Sequence, residues 1–177
     1  MKRNVSINKL LICSSYIYLT IPLIIFFLFW FDYHYSFLFT FILLVGLFLS
    51  LRMYTQGSEN SLYPKDNKNI TIISIIVLFL WISLSGIGGF GFQNSDYDKH
   101  NAILRDLINY SWPVHYKLIN GSGLLIYYIG YYLPSALVGK ILGWKVANIF
   151  IFIWSFIGLL ISYLWAAKHI KKIQLKL

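Results

Sequence analysis

A chain of 177 residues that is 58% hydrophobic and only 12% charged carries more apolar surface than a soluble domain of its size can bury, so the solvent it implies is a bilayer. The formal charge of +9 does not make it a nucleic-acid binder: the fifteen Lys and Arg lie mostly between apolar runs and at the two ends, with no polar basic domain to grip phosphates. The lone Cys13 sits inside the first apolar run and excludes both a disulfide framework and a cysteine metal site.

Behind Lys2, Arg3 and Lys9, the stretch 10–31 is close to the ~20 apolar residues that cross a hydrocarbon core as a helix. It is longer than a signal-peptide core and lacks a small-residue cleavage pattern, so an uncleaved span is expected, kinked at Pro22. A short turn at Asp32-Tyr33-His34-Tyr35 leads to a second span over 36–51, which completes a helical hairpin. The polar stretch 52–69, with Arg52, Lys65 and Lys68, reads as a loop on the side of the amino terminus. A third span is expected over 70–90. Its end carries Gly86, Gly88, Gly89 and Gly91, which match the GxGxxG dinucleotide pattern, but no strand precedes them and no βαβ unit follows. The glycines read instead as a loosened helix end that lets the next segment lie close to the membrane.

The stretch 93–122 is the longest polar interval between spans and is placed on the opposite, extracytoplasmic side. Three of the six acidic residues of the chain, Asp96, Asp98 and Asp106, occur here. Ala102, Ile103, Leu107 and Ile108 form an apolar stripe at helical spacing, which predicts an amphipathic helix over 96–110, stopped by Trp112-Pro113. Further on, 123–139 is apolar but short and interrupted by Gly130 and Pro134, whereas 146–167 is a full-length span. If both cross, eight of the fifteen basic residues lie inside and seven outside; if 123–139 dips in and returns, ten lie inside and five outside. The positive-inside rule favours the second arrangement, with both termini cytoplasmic. The expected fold is therefore all-α: a polytopic, multi-pass helical protein of the cell membrane with four to five spans and an amphipathic loop helix.

Asp96, Asp98, Lys99, His100 and Arg105 are the one dense cluster of ionisable groups. Asp96 and His100 stand four apart and share a helix face, where a carboxylate beside an imidazole can act as a general base or hold a cation or phosphate. The structural alternative is that Ser95-x-x-Asp98 is a capping box and Asp96 complements the helix dipole, which explains Asp98 more fully than Asp96. His34 and His115 lack partners at ligand spacing, and His169 lies among tail lysines suited to lipid headgroups. No nucleophile elbow, HExxH or Walker loop occurs, which removes serine hydrolases, zinc proteases and P-loop enzymes.

The run Asn94-Ser95-Asp96-Tyr97-Asp98-Lys99-His100-Asn101, continued through Arg105-Asp106-Leu107 and closed by Ser111-Trp112-Pro113-Val114, resembles the first large extracytoplasmic loop of GT-C superfamily membrane glycosyltransferases. The run from Tyr131 to Lys140 is similar to the segment after that loop in bacterial members. The resemblance covers roughly residues 89–168. It implies transfer of a sugar from a polyprenyl-phosphate-linked donor, with Asp96 or Asp98 as catalytic base or metal ligand for a divalent cation (Mg or Mn). It also implies Lys99, His100 and Arg105 near the donor phosphate. GT-C enzymes commonly have eight or more spans, so the chain is expected to act as part of a larger enzyme, with an additional membrane subunit, or to be a truncated relative. The alternative is a non-enzymatic small membrane accessory or interaction protein. Expected partners are membrane lipids and the polyprenyl-phosphate sugar, and no nucleic acid.

Overall fold

A computed structural model describes residues 7–56, 68–119 and 121–174. Among the described residues the regular structure is helical apart from one small hairpin. In order come α1 (Ile7–Trp30), α2 (Tyr33–Gln56), α3 (Lys68–Leu84), a 3₁₀ turn (Ile87–Gly89), α4 (Asp96–Asn109), β1 (His115–Leu118), β2 (Gly121–Leu124), α5 (Ile129–Leu142) and α6 (Trp144–Gln174).

Among the described residues three helices are long and apolar enough to cross a membrane: α1 over Lys9–Trp30, α2 over Tyr33–Tyr54 and α6 over Trp144–Ile170. Their outward side chains are apolar, as with Phe37, Phe41 and Phe48 on α2, all well exposed. Such surface is stable against hydrocarbon, where only a structure that satisfies its backbone hydrogen bonds internally survives. The expected third span is shorter than the sequence suggests. At 17 residues α3 reaches only to Leu84, and at ~1.5 Å per residue it falls a little short of the ~30 Å hydrocarbon core. The reason lies in the glycines: Gly86, Gly88 and Gly89 all adopt positive φ, which ends a right-handed helix. Against the four to five spans expected from the sequence, the described residues hold three long apolar helices plus the shorter α3. The hairpin turn is also tighter than expected, since α2 begins at Tyr33 and takes His34 into its first turn. Pro22 lies inside α1 without ending it.

The directions of the helices follow from their contacts. Trp165 donates its indole N–H to Ser15 Oγ at 2.8 Å, and Tyr18 donates to the Trp154 carbonyl at 3.2 Å, so α1 and α6 run antiparallel. Phe79 meets Phe152 and Phe156 edge-on while Phe90 meets Phe152, so α3 also runs against α6. The start of α1 and the end of α6 therefore share one end of the molecule. The end of α1, the glycine turn and the start of α6 share the other, and α4, the hairpin and α5 are gathered there.

At that end lies the packed core. Ile103, Leu104 and Leu107 of α4 are buried against Leu133 and Ala136 of α5 and Ala147 and Ile151 of α6, with Ile25 of α1 beneath. Each buried aliphatic side chain of this size contributes about 1.5–3 kcal/mol, which is what pins a mostly polar helix to the bundle. The carboxyl end of α4 is tied down from α5: Lys140 Nζ donates to the carbonyls of Ile108 (3.2 Å) and Tyr110 (2.5 Å) and rests over the Trp112 ring. A cation on terminal carbonyls also complements the helix dipole. The hairpin, absent from the sequence-based expectation, pairs His115 with Leu124 and Leu118 with Gly121.

Where a fifth crossing was one alternative, α5 runs back toward the end from which it came. Tyr131 Oη meets Ser155 Oγ at 2.5 Å, well down α6, whereas Gly139 packs at Ala147 in the first turn of α6. Gly143, at φ 84, then reverses the chain into α6.

Candidate functional site

Three adjoining depressions surround α4 at the glycine-turn end. The outer one, about 530 Å³, lies between the glycine turn, α4 and the start of α6. Its polar lining is Gln93, Asn101, Arg105, Lys145 and Asn148, with the Gly88 and Gly89 backbone. Two cations, three amides and the first turn of a long helix meet there without an acidic residue, an arrangement that favours an anion. Arg105 is held at its rim by the Trp144 ring, 5.3 Å from guanidinium carbon to ring centroid.

The inner cavity, about 220 Å³, shares Gly88, Asn101 and Asn148 with the outer one and continues between α4, α5 and α6. Tyr97, His100, Tyr131 and Tyr132 line it. His100 Nδ1 stands 2.5 Å from Tyr132 Oη, Asn101 donates to Gln93 Oε1 at 3.0 Å, and Tyr97 donates its hydroxyl to the Ser85 carbonyl. On the far side of His100 a shallower depression is lined by Ile126, Tyr128, Gly130 and Tyr131.

Of the five ionisable residues singled out in the sequence, His100 and Arg105 line these cavities. Asp96, one turn before His100 on α4, is exposed and lines none of them. Asp98 and Lys99 are exposed and line none of the three. Asp96 and Asp98 are two residues apart in the first turn of α4 and so do not face each other. Among the described residues no group of three or more His, Cys, Asp or Glu stands where it could hold a metal ion. A cation here would take one of these two carboxylates singly, since they leave the helix on different faces.

The capping box is corrected by the structure. Ser95 has helical φ and ψ and makes no side-chain cap hydrogen bond. The capping role falls to Asn94, whose Oδ1 accepts from the Asp96 backbone N–H at 3.2 Å and whose carbonyl accepts from Tyr97 N at 3.0 Å. Asp98 is left with the helix-dipole role alone. Asp106 is committed elsewhere, accepting the Tyr116 hydroxyl at 2.5 Å and tying the hairpin to α4. Burial, followed by that bond, pushes the Tyr116 phenol up to about 12.

The glycines serve backbone geometry, as the sequence suggests. A Cβ on Gly88 would stand 2.5 Å from the Asn148 carbonyl oxygen, so only glycine lets the turn lie on α6 and close the floor of both cavities. His115 is exposed and directs Nδ1 to its neighbour Pro113 carbonyl at 2.9 Å, and His169 directs its own to the Trp165 carbonyl at 3.0 Å. Lys145, Asn148 and Gln93 were missed. Lys145 counted only as a topology charge, and amides beside apolar runs carry no motif; only the fold brings them to Arg105.

Comparison with protein-family models, with curated proteins and with solved structures gave no match.

Proposed function

We propose that this protein engages the phosphate of a lipid-linked sugar and serves GT-C-like transfer of that sugar from a polyprenyl-phosphate donor, as part of a larger enzyme or as a truncated relative. The observation that carries this reading is the succession of cavities around α4. His100, one helical turn after Asp96, lines a cavity with neutral polar groups, and that cavity opens into one holding Arg105 and Lys145. In the cell membrane α1, α2, α3 and α6 cross, α5 dips in and returns, and both termini are cytoplasmic. The cavities then lie at the outer surface, level with a lipid phosphate.

Transfer breaks the bond between the anomeric carbon and the phosphate oxygen and forms one to an acceptor hydroxyl oxygen. The phosphate leaves with the electron pair, and Arg105 and Lys145 stabilise the charge it gains. The acceptor proton passes to a base, the role assigned to Asp96. A divalent cation such as Mg or Mn would take Asp96 and the donor's own oxygens as ligands, oxygen donors being the kind these ions prefer.

The test uses the protein in lipid nanodiscs with a short-chain polyprenyl phosphate. Removing both cations, Arg105→Gln with Lys145→Gln, is expected to weaken binding at least tenfold, about 1.4 kcal/mol. In the complete or assembled enzyme Asp96→Asn is expected to abolish transfer and Asp98→Asn to spare it. Unchanged lipid binding in the double variant would sink the reading and leave a non-enzymatic membrane accessory protein in its place.

A further inference from the structure

The inner cavity differs in chemistry from the outer one, although the two share a wall. No Lys, Arg, Asp or Glu lines it; its polar groups are those of Tyr97, His100, Asn101, Tyr131, Tyr132 and Asn148. Asn101 gives one amide N–H to Gln93 Oε1 at 3.0 Å and Asn148 gives one to the Trp144 carbonyl at 2.9 Å, which leaves each a second N–H and a carbonyl oxygen to offer at the junction of the two cavities. Neutral donors and acceptors beside aromatic faces suit the hydroxyls and apolar C–H faces of a sugar ring and offer a phosphate no cation. At about 220 Å³ the space lies below the ~300–1,000 Å³ of sites for drug-sized ligands and suits one monosaccharide.

Resting on the lipid-phosphate reading above, we infer that the inner cavity seats the sugar ring of the donor and that this sugar is uncharged. An uncharged hexose or pentose meets polar groups from α4, α5 and α6 there. A uronic acid or a free amino sugar would bring a charge into a partly enclosed space without a fixed counter-charge, which is costly. The arrangement also orients the donor, since phosphate at Arg105 and Lys145 with the ring toward His100 turns the anomeric carbon to the junction at Asn101 and Asn148.

The experiment compares three short-chain lipids on the nanodisc-embedded chain: polyprenyl phosphate, its neutral hexosyl ester and its uronosyl ester. The hexosyl lipid is expected to bind about tenfold more tightly than the bare phosphate, and the uronosyl lipid no more tightly than the bare phosphate. His100→Leu is expected to bring the hexosyl-to-bare affinity ratio close to one. Ile87→Trp, which fills the same cavity from the glycine turn, is expected to do likewise and guards against a folding defect in the first variant. Bare phosphate binding with no gain from the hexose overturns the sugar seat and leaves the phosphate reading standing. Absence of binding by all three lipids overturns both. An equal gain from the uronosyl lipid overturns the selectivity for an uncharged ring.

Discussion

Gly88 and Gly89 offer a matched pair in which backbone strain can be separated from packing. Both have positive φ, 72 and 79 respectively. An alanine in this region costs about 1–2 kcal/mol from the clash of Cβ with its own carbonyl. At Gly89 a Cβ meets nothing within 4 Å, so Gly89→Ala should cost that amount and no more. At Gly88 the Cβ would stand 2.5 Å from the Asn148 carbonyl oxygen and 3.2 Å from Phe152 Cβ, on a helix backbone that cannot rotate away. Overpacking of this kind adds about 1–3 kcal/mol, so Gly88→Ala should cost about 2–5 kcal/mol in all. For a chain of this length each kcal/mol lowers the unfolding midpoint by roughly 2–4 °C. Thermal unfolding of the two variants in one detergent, followed by tryptophan fluorescence, reads the difference directly. Since Gly88 borders both cavities, its variant should also weaken polyprenyl-phosphate binding. Equal midpoints for the two variants would refute the close approach of the glycine turn to α6, and with it the shared floor of the cavities.

Three further outcomes follow from the site and the fold. Asn94→Ala should lower stability by about 0.5–2 kcal/mol through loss of the cap, and Asp98→Asn by about 0.3–1 kcal/mol through the helix dipole alone; chemical denaturation that ranks Asp98→Asn above Asn94→Ala would restore the capping box. The Tyr116 phenol is raised from 10.0 to about 12, so the neutral form is preferred by the folded chain. Its contribution is complete below pH 10 and disappears as pH climbs through about 12. Tyr116→Phe should therefore remove an alkaline-sensitive part of the stability, read from unfolding midpoints across that range. In a Cys13→Ser background, a cysteine at Ser122 should react with an impermeant reagent from outside intact cells and one at Ile170 should not; labelling at Ile170 would overturn the assignment of both termini to the cytoplasm.

Membrane character, the positions of the long helices and the existence of α4 were legible in the sequence because they are local properties. Run length and the period of the apolar residues decide them within a window of about twenty residues. His100 and Arg105 were legible as candidates for the same reason, as was the need for glycine at the end of α3. The span edges moved because propensity does not see contacts: α3 stops at Leu84, where three positive-φ glycines turn it onto α6. The hairpin was too short for a period to show, though Asn120-Gly121 is the turn signal that could have marked it. Capping passed from Ser95 to Asn94 because the chain enters α4 already helical at Ser95, and that entry is set by Gln93 reaching back to the Gly86 carbonyl at 2.7 Å. Above all, the cavities belong to tertiary structure. Arg105 meets Trp144 and Lys145, and His100 meets Tyr132, across separations that no motif spans. These pairs exist because α5 doubles back against α6 and buries Leu104 and Leu107 beneath them.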